Sequence, residues 1–221
     1  MRAIAIALGL ALADQVAAGV SLSPTRIDLA HGRAMGAVEV ANQGDRPRTF
    51  QADVVRWPRD GADAVPGSAA PLVVAPPSFV VAPNGRQVVR AGCLQGCEHL
   101  SGSFRLRIRE VPEPAQGGRI PVVLALSLPV FIGAAPADAE LRWAAESRED
   151  GWALTVENRG VRGDHLTALS VKDAQGRALA ASAALPVYIL EGTTATFSVE
   201  GGAPARVVAR WGSRQQDVAL E

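Results

Sequence analysis

Apolar residues recur at every second position along most of this chain. Phe50, Ala52 and Val54 alternate with Gln51 and Asp53, and Phe104, Leu106 and Ile108 alternate with Arg105, Arg107 and Arg109. The pattern returns in Trp152, Leu154 and Val156, and again in Val207, Ala209 and Trp211. Successive side chains of a strand point to opposite faces, so this period predicts half-buried antiparallel strands. Turn-forming residues separate the runs: Asn42-Gln43-Gly44, Pro83-Asn84-Gly85, Gly117-Gly118, Asn158-Arg159-Gly160 and Gly201-Gly202. No stretch pairs a 3.6-residue apolar period with helix caps. Ala137–Glu149 is charge-rich and short, and its Trp143 fits a strand equally well. Short strands with regular turns predict an all-β fold built from sandwiches.

Residues 1–18 stand outside this pattern. Arg2 precedes the apolar run Ala3–Ala13, and Val16-Ala17-Ala18 supplies a small-residue cleavage pattern. The run is shorter than the roughly 20 residues a helix needs to cross a bilayer, and it reads as a secretory signal peptide. No later run is long and uninterrupted enough to be a membrane span. The remaining length suits two sandwiches of about seven strands each. The small-residue and proline stretch Gly133–Ala137 marks the boundary between domains expected at 19–134 and 137–221. With 22 basic and 22 acidic residues the formal net charge is zero, which argues against nucleic acid as a partner.

Cys93 and Cys97 are the only cysteines, in Gly92-Cys-Leu-Gln-Gly-Cys97. In an oxidising compartment this spacing predicts a disulfide closing a short loop. A metal pair is the alternative, but it needs two further ligands, and only His99 is near in sequence.

The stretch Arg119–Ile132 is apolar on both faces. Ile120, Val122, Leu124, Leu126 and Leu128 line one side; Val123, Ala125 and Phe131 line the other, with Pro121 and Pro129 interspersed. A soluble sandwich needs one apolar face per strand, so this segment is either buried between the two domains or holds one row for a partner. Its prolines favour an edge position, and an edge strand with a spare apolar row is a template for an incoming strand.

At these residues the chain resembles the PapD-like periplasmic pilus (fimbrial) chaperones over essentially the whole of residues 19–221. The resemblance rests on Ser21-Leu-Ser-Pro-Thr-Arg-Ile-Asp-Leu29, on the turn at Ala41–Gly44, and on Pro76–Phe79 through Pro83–Arg90. It also rests on Phe104-Arg-Leu-Arg-Ile-Arg-Glu-Val-Pro112. Leu128–Ile132 and Tyr188–Gly192 look more like the alternative (archaic, spore-coat-U-linked) branch. The resemblance implies two immunoglobulin-like domains in an L or boomerang arrangement, and a chaperone that uses no cofactor. Such proteins hold pilin subunits by donor-strand complementation and deliver them to an outer-membrane usher. It further implies a donor row of Ile120, Val122, Leu124 and Leu126, with Arg26 anchoring the C-terminus of the pilin. The family's second anchor, a lysine, falls on Pro129; Arg90 is a substitute candidate. An exposed apolar edge also implies self-association of the free protein.

Two other functions compete. An enzyme would need a motif such as Gly-x-Ser-x-Gly or His-Glu-x-x-His, which the sequence lacks. A secreted two-domain adhesion module or structural pilus component would share the strand pattern, but it would not require the internal doubly apolar strand.

Overall fold

The alternating runs become strands whose apolar row faces inward. The computed structural model describes residues 19–29, 33–58, 71–112, 123–133, 140–212 and 214–220; the expected signal peptide at 1–18 and the centre of the expected boundary, 134–139, lie outside these. No α-helix occurs among the described residues. One sheet runs in the order β1 (Val20–Ser23), β3 (Met35–Asn42), β7 (Arg86–Gly92), β5 (Val73–Ala75). The second runs β2 (Ile27–Leu29), β9 (Ala125–Ile132), β8 (Gly102–Glu110), β4 (Arg48–Arg56), β6 (Ser78–Val81). Between them lies a core in which Phe50, Val38, Val40, Phe104, Leu106 and Ile108 are fully buried. Cys93 and Cys97 pack against this core and are joined as a disulfide with S–S 2.06 Å.

The C-terminal strands form one eight-stranded sheet. It runs β10 (Leu141–Arg148), β11 (Gly151–Asn158), β15 (Thr194–Glu200), β13 (Ala178–Ser182), β12 (Asp164–Lys172), β16 (Arg206–Trp211), β17 (Arg214–Ala219), with β14 (Val187–Ile189) beside β12. β13 joins the two halves: Ala178 and Leu179 pair with β12, and Ala180–Ser182 pair with β15. The path thereby closes over a second core of Leu154, Val156, Leu166, Phe197, Val207 and Trp211.

Each half is cornered by the same device. Asn42 is buried at the end of β3; its Nδ2 donates to the carbonyls of Arg46, Val81 and Ala82, and its Oδ1 accepts from Gly44 N–H. Asn158 is buried at the end of β11; its Nδ2 donates to the carbonyls of Arg162 and Ile189, and its Oδ1 accepts from Gly160 N–H. A buried amide satisfies several backbone groups that a corner would otherwise leave unpaired.

β9 departs from the expectation of a plain edge strand. Its last three residues, Val130–Ile132, lie between β8 and the parallel β2, so that end is internal. Among the described residues, 125–129 pair with β8 alone. Pro129, which cannot donate to a ladder, sits where the two-sided pairing begins.

Candidate functional site

The three-residue strand β2 sets a charged cluster at the junction of the two halves. Ile27 and Leu29 turn into the core, so Asp28 and the preceding Arg26 turn out of it. Arg26 grips Asp28 with both arms of its guanidinium, Nε to Oδ2 at 2.6 Å and Nη2 to Oδ1 at 2.8 Å. Arg162, from the corner after β11, donates Nη1 to the same Oδ1 at 2.9 Å. Asp164, at the start of β12, faces Arg26 at 3.7 Å and accepts from Arg214 at 3.0 Å. Burial opposes the charge on Arg26, but its bonds to Asp28 and the nearby Asp164 outweigh this and raise its pKa. Arg162 goes the other way: burial, reinforced by repulsion from Arg26, lowers its pKa despite Asp28 and Asp164.

An aromatic stack lies beside the same charged cluster. Arg26 lies over the Phe131 ring at 4.7 Å and Arg105 over Trp57 at 3.9 Å, both within cation–π range. Tyr188 meets Trp57 at 5.1 Å and Phe131 at 5.9 Å, and His165 stacks on Tyr188 at 4.2 Å. Trp57 and Phe131 come from one half, Tyr188 and His165 from the other. A buried polar seam fixes the approach. Ser103 Oγ donates to Glu191 Oε2 at 2.6 Å and accepts from Gly163 N–H at 2.8 Å. A Cβ on Gly163 would lie 2.8 Å from Ser103 Oγ and 2.9 Å from Phe131, so glycine is required for this contact.

The expected donor row is only partly visible. Ile120 and Val122 lie outside the described residues; Leu124 and Leu126 are half-buried. Leu126 packs against the first core, and the same row continues into it as Leu128, Val130 and Ile132. The expectation that this row has no place in its own domain is therefore corrected for Leu126. Leu124 is tied to Glu110 by its N–H, at 3.1 Å to Oε2, and by its carbonyl, at 2.8 Å from Glu110 N. Arg90 is exposed on β7, in the other sheet, and no hydrogen bond or ion pair ties it to Arg26. Arg105 and Arg107 are not a freely solvated row: Arg105 covers Trp57, and Arg107 is paired with Asp53.

Of this cluster the sequence singles out Arg26 alone; its strand pattern does not point to Arg162, Asp28 or the aromatic stack. A signal for Arg162 was present. Asn42-Gln-Gly-Asp-Arg46 and Asn158-Arg-Gly-Val-Arg162 share the pattern Asn-x-Gly-x-Arg, at two corners of the same geometry.

These features define a protein of two sandwiches with a cluster of arginines, carboxylates and aromatic rings at their junction. Residues 19–137 match the model of the pili and flagellar-assembly chaperones, PapD N-terminal domain, and the chain belongs to that family. No curated protein sequence matches the chain. Among solved structures it is similar to the Pseudomonas aeruginosa CupB2 chaperone, with 20% identity and TM-score 0.62 over 91% of this chain and 100% of that one. It is similar to the SafB chaperone of Salmonella enterica in its complex with the SafA pilin, with 20% identity and TM-score 0.62 over 91% and 96%. The pre-assembly complex of CsuC with the tip adhesion subunit CsuE, from the archaic Csu pili of Acinetobacter baumannii, matches at 17% identity and TM-score 0.61 over 92% and 98%. The fold is thus two immunoglobulin-like sandwiches, and the family is one of pilus-assembly chaperones rather than enzymes.

Proposed function

We propose that this chain is a periplasmic chaperone that holds pilin subunits by donor-strand complementation and delivers them to an outer-membrane usher. The observation that carries the reading is β9. Its one-sided stretch 125–129 leaves backbone groups open to an added strand, and its apolar row runs from the core out through Leu126 and Leu124. An added strand gains affinity from main-chain hydrogen bonds, and an alternating apolar row fills the partner's groove. Arg26, in the cleft at the end of this strand, suits a terminal carboxylate, because a guanidinium binds one with two charge-assisted hydrogen bonds. Complexes of related folds with a pilin and with a tip adhesion subunit support the partner class. The disulfide supports an oxidising compartment, as the periplasm is. The same reading divides the chain into a leader at 1–18, a donor-strand domain at 19–134 and a second domain at 137–221.

The test is co-purification from periplasmic extract of the full chain and of a V122D/L124D double variant. The proposal expects a pilin-sized chain with the unaltered protein and none with the variant, while circular dichroism stays unchanged. Normal capture by the folded variant would move the donor strand elsewhere. A variant that fails to fold would make the row part of the chaperone's own core. If the unaltered protein purifies alone, an adhesive or structural module is the better description.

A further inference from the structure

Two arginines from different domains converge on one carboxylate in the cleft. Oδ1 of Asp28 accepts at once from Arg26 Nη2 at 2.8 Å and from Arg162 Nη1 at 2.9 Å. Both guanidiniums also lie over the same Phe131 ring, at 4.7 and 6.0 Å. Arg162 is buried well beyond what its loop requires: its side chain is 7% exposed, whereas Arg46, at the matching place of the other Asn-x-Gly-x-Arg corner, is exposed. Its Nε is buried and has no hydrogen-bond partner among the described residues. Placing a guanidinium in such a position costs free energy unless an anion answers it.

The two carboxylates of the cluster differ in how firmly they are held. Asp164 is 8% exposed and is shared by Arg26 and Arg214. Asp28 is 41% exposed and stands on the outward face of a short strand. An exposed carboxylate in an ion pair contributes little to stability. Rotating it aside frees three N–H donors, two on Arg26 and one on Arg162, and a second carboxylate restores the charge balance that its departure disturbs.

We propose that Arg162 is the second cation of the pilin anchor, gripping a terminal peptide carboxylate together with Arg26, and that Asp28 is the internal carboxylate which that ligand displaces. The inference rests on the reading that this cleft takes the C-terminus of a pilin. It gives the anchor one arginine from each domain, so the grip depends on the seam that Ser103, Gly163 and Glu191 hold together. Pro129 has no part in it.

The experiment uses the full chain and a pair of probes: N-acetyl-tetra-alanine with a free C-terminal carboxylate, and the same peptide as its C-terminal amide. Affinities are read by calorimetry, and the arginine Nε–H resonances by nitrogen-15 NMR, with melting curves as the folding control. The unaltered protein prefers the carboxylate, and the Arg26 and Arg162 resonances shift together during that titration only. R162K lowers the preference by roughly 10- to 100-fold, the range for a lost hydrogen bond to a charged group. D28N, which removes the internal competitor, raises carboxylate affinity by about tenfold at most and leaves amide binding unchanged. If R26A abolishes the preference while R162K keeps it, Arg162 is a structural cross-link only, and the proposed function stands. If D28N weakens carboxylate binding, Asp28 orients the arginines and the displacement idea is wrong. If R26A also keeps the preference, or the unaltered protein has none, the anchor reading itself fails. Should R162K not fold, the Arg162 resonance of the unaltered protein decides: no shift with the carboxylate overturns the proposal.

Discussion

The corners at Asn42 and Asn158 solve one structural problem twice, with different consequences. In both, a buried asparagine ends a strand, captures the carbonyl of an arginine four residues on, and accepts from the intervening glycine. In the first domain that arginine, Arg46, is exposed. In the second, the corner lies against the first domain, and Arg162 is carried into the cleft beside Arg26. The loop chemistry is shared; what differs is the surface the loop meets. The repeated pentapeptide thus serves as scaffold in one domain and as a carrier of charge to the junction in the other.

The comparison is broken most severely by removing each asparagine in turn. N42A and N158A each remove the buried amide that bonds the corner carbonyls. Both are expected to destabilise the chain by about 1–3 kcal/mol in denaturant melts, the cost of buried polar groups losing a partner. If the corners are equivalent scaffolds the two losses are similar, but only N158A also weakens carboxylate binding under conditions where the protein stays folded. An N42A loss far below that of N158A would show that the two corners are not equivalent.

S103A tests the seam. It removes a buried hydroxyl that donates to Glu191 and accepts from Gly163 N–H. A loss of about 1–3 kcal/mol is expected, together with a weaker anchor, because the two arginines sit on opposite sides of that seam. A full stability loss without any change in carboxylate affinity would separate seam from anchor.

His165 gives a smaller, pH-dependent effect confined to the second domain's side of the cleft. Burial first, then Arg26, lowers its pKa, against the pull of Asp164. The unfolded chain therefore binds more protons below its own histidine pKa of about 6.5. The stability this histidine contributes is complete above that value and is lost as pH falls through the lower folded-state value. Melting temperatures between pH 7 and pH 5 should decline less steeply in H165Q. The smallest expectation is R46A, an exposed substitution that should alter stability by no more than about 0.5 kcal/mol and leave binding untouched.

Much of the fold was legible because period-2 alternation is a direct record of burial. Phe104, Leu106 and Ile108 are fully buried, as their spacing requires. The junction was far less legible. Alternation says which face a residue takes but not what covers that face. Arg105 alternates outward as expected, yet on that side it lies over Trp57, which in turn meets Tyr188. Arg162 lies in a loop, where no period applies, and only the match between the two pentapeptides marks it. The donor row expected at Ile120, Val122, Leu124 and Leu126 treats Leu126 as spare, because sequence does not show where a strand passes out of its own core. Leu126 still touches that core, and Leu128 is inside it.

The central claim is that the free edge of β9 is where a pilin adds its strand, and amide hydrogen exchange tests it most directly. Exchange is followed across the full chain before and after binding of the pilin that co-purifies with it. The account predicts slowed exchange at the amides of 123–129 that are not bonded to β8. It predicts little change at Val130–Ile132, which already lie between β2 and β8. Unchanged exchange across 123–129 in a fully bound sample, or protection confined to the second domain, would contradict it.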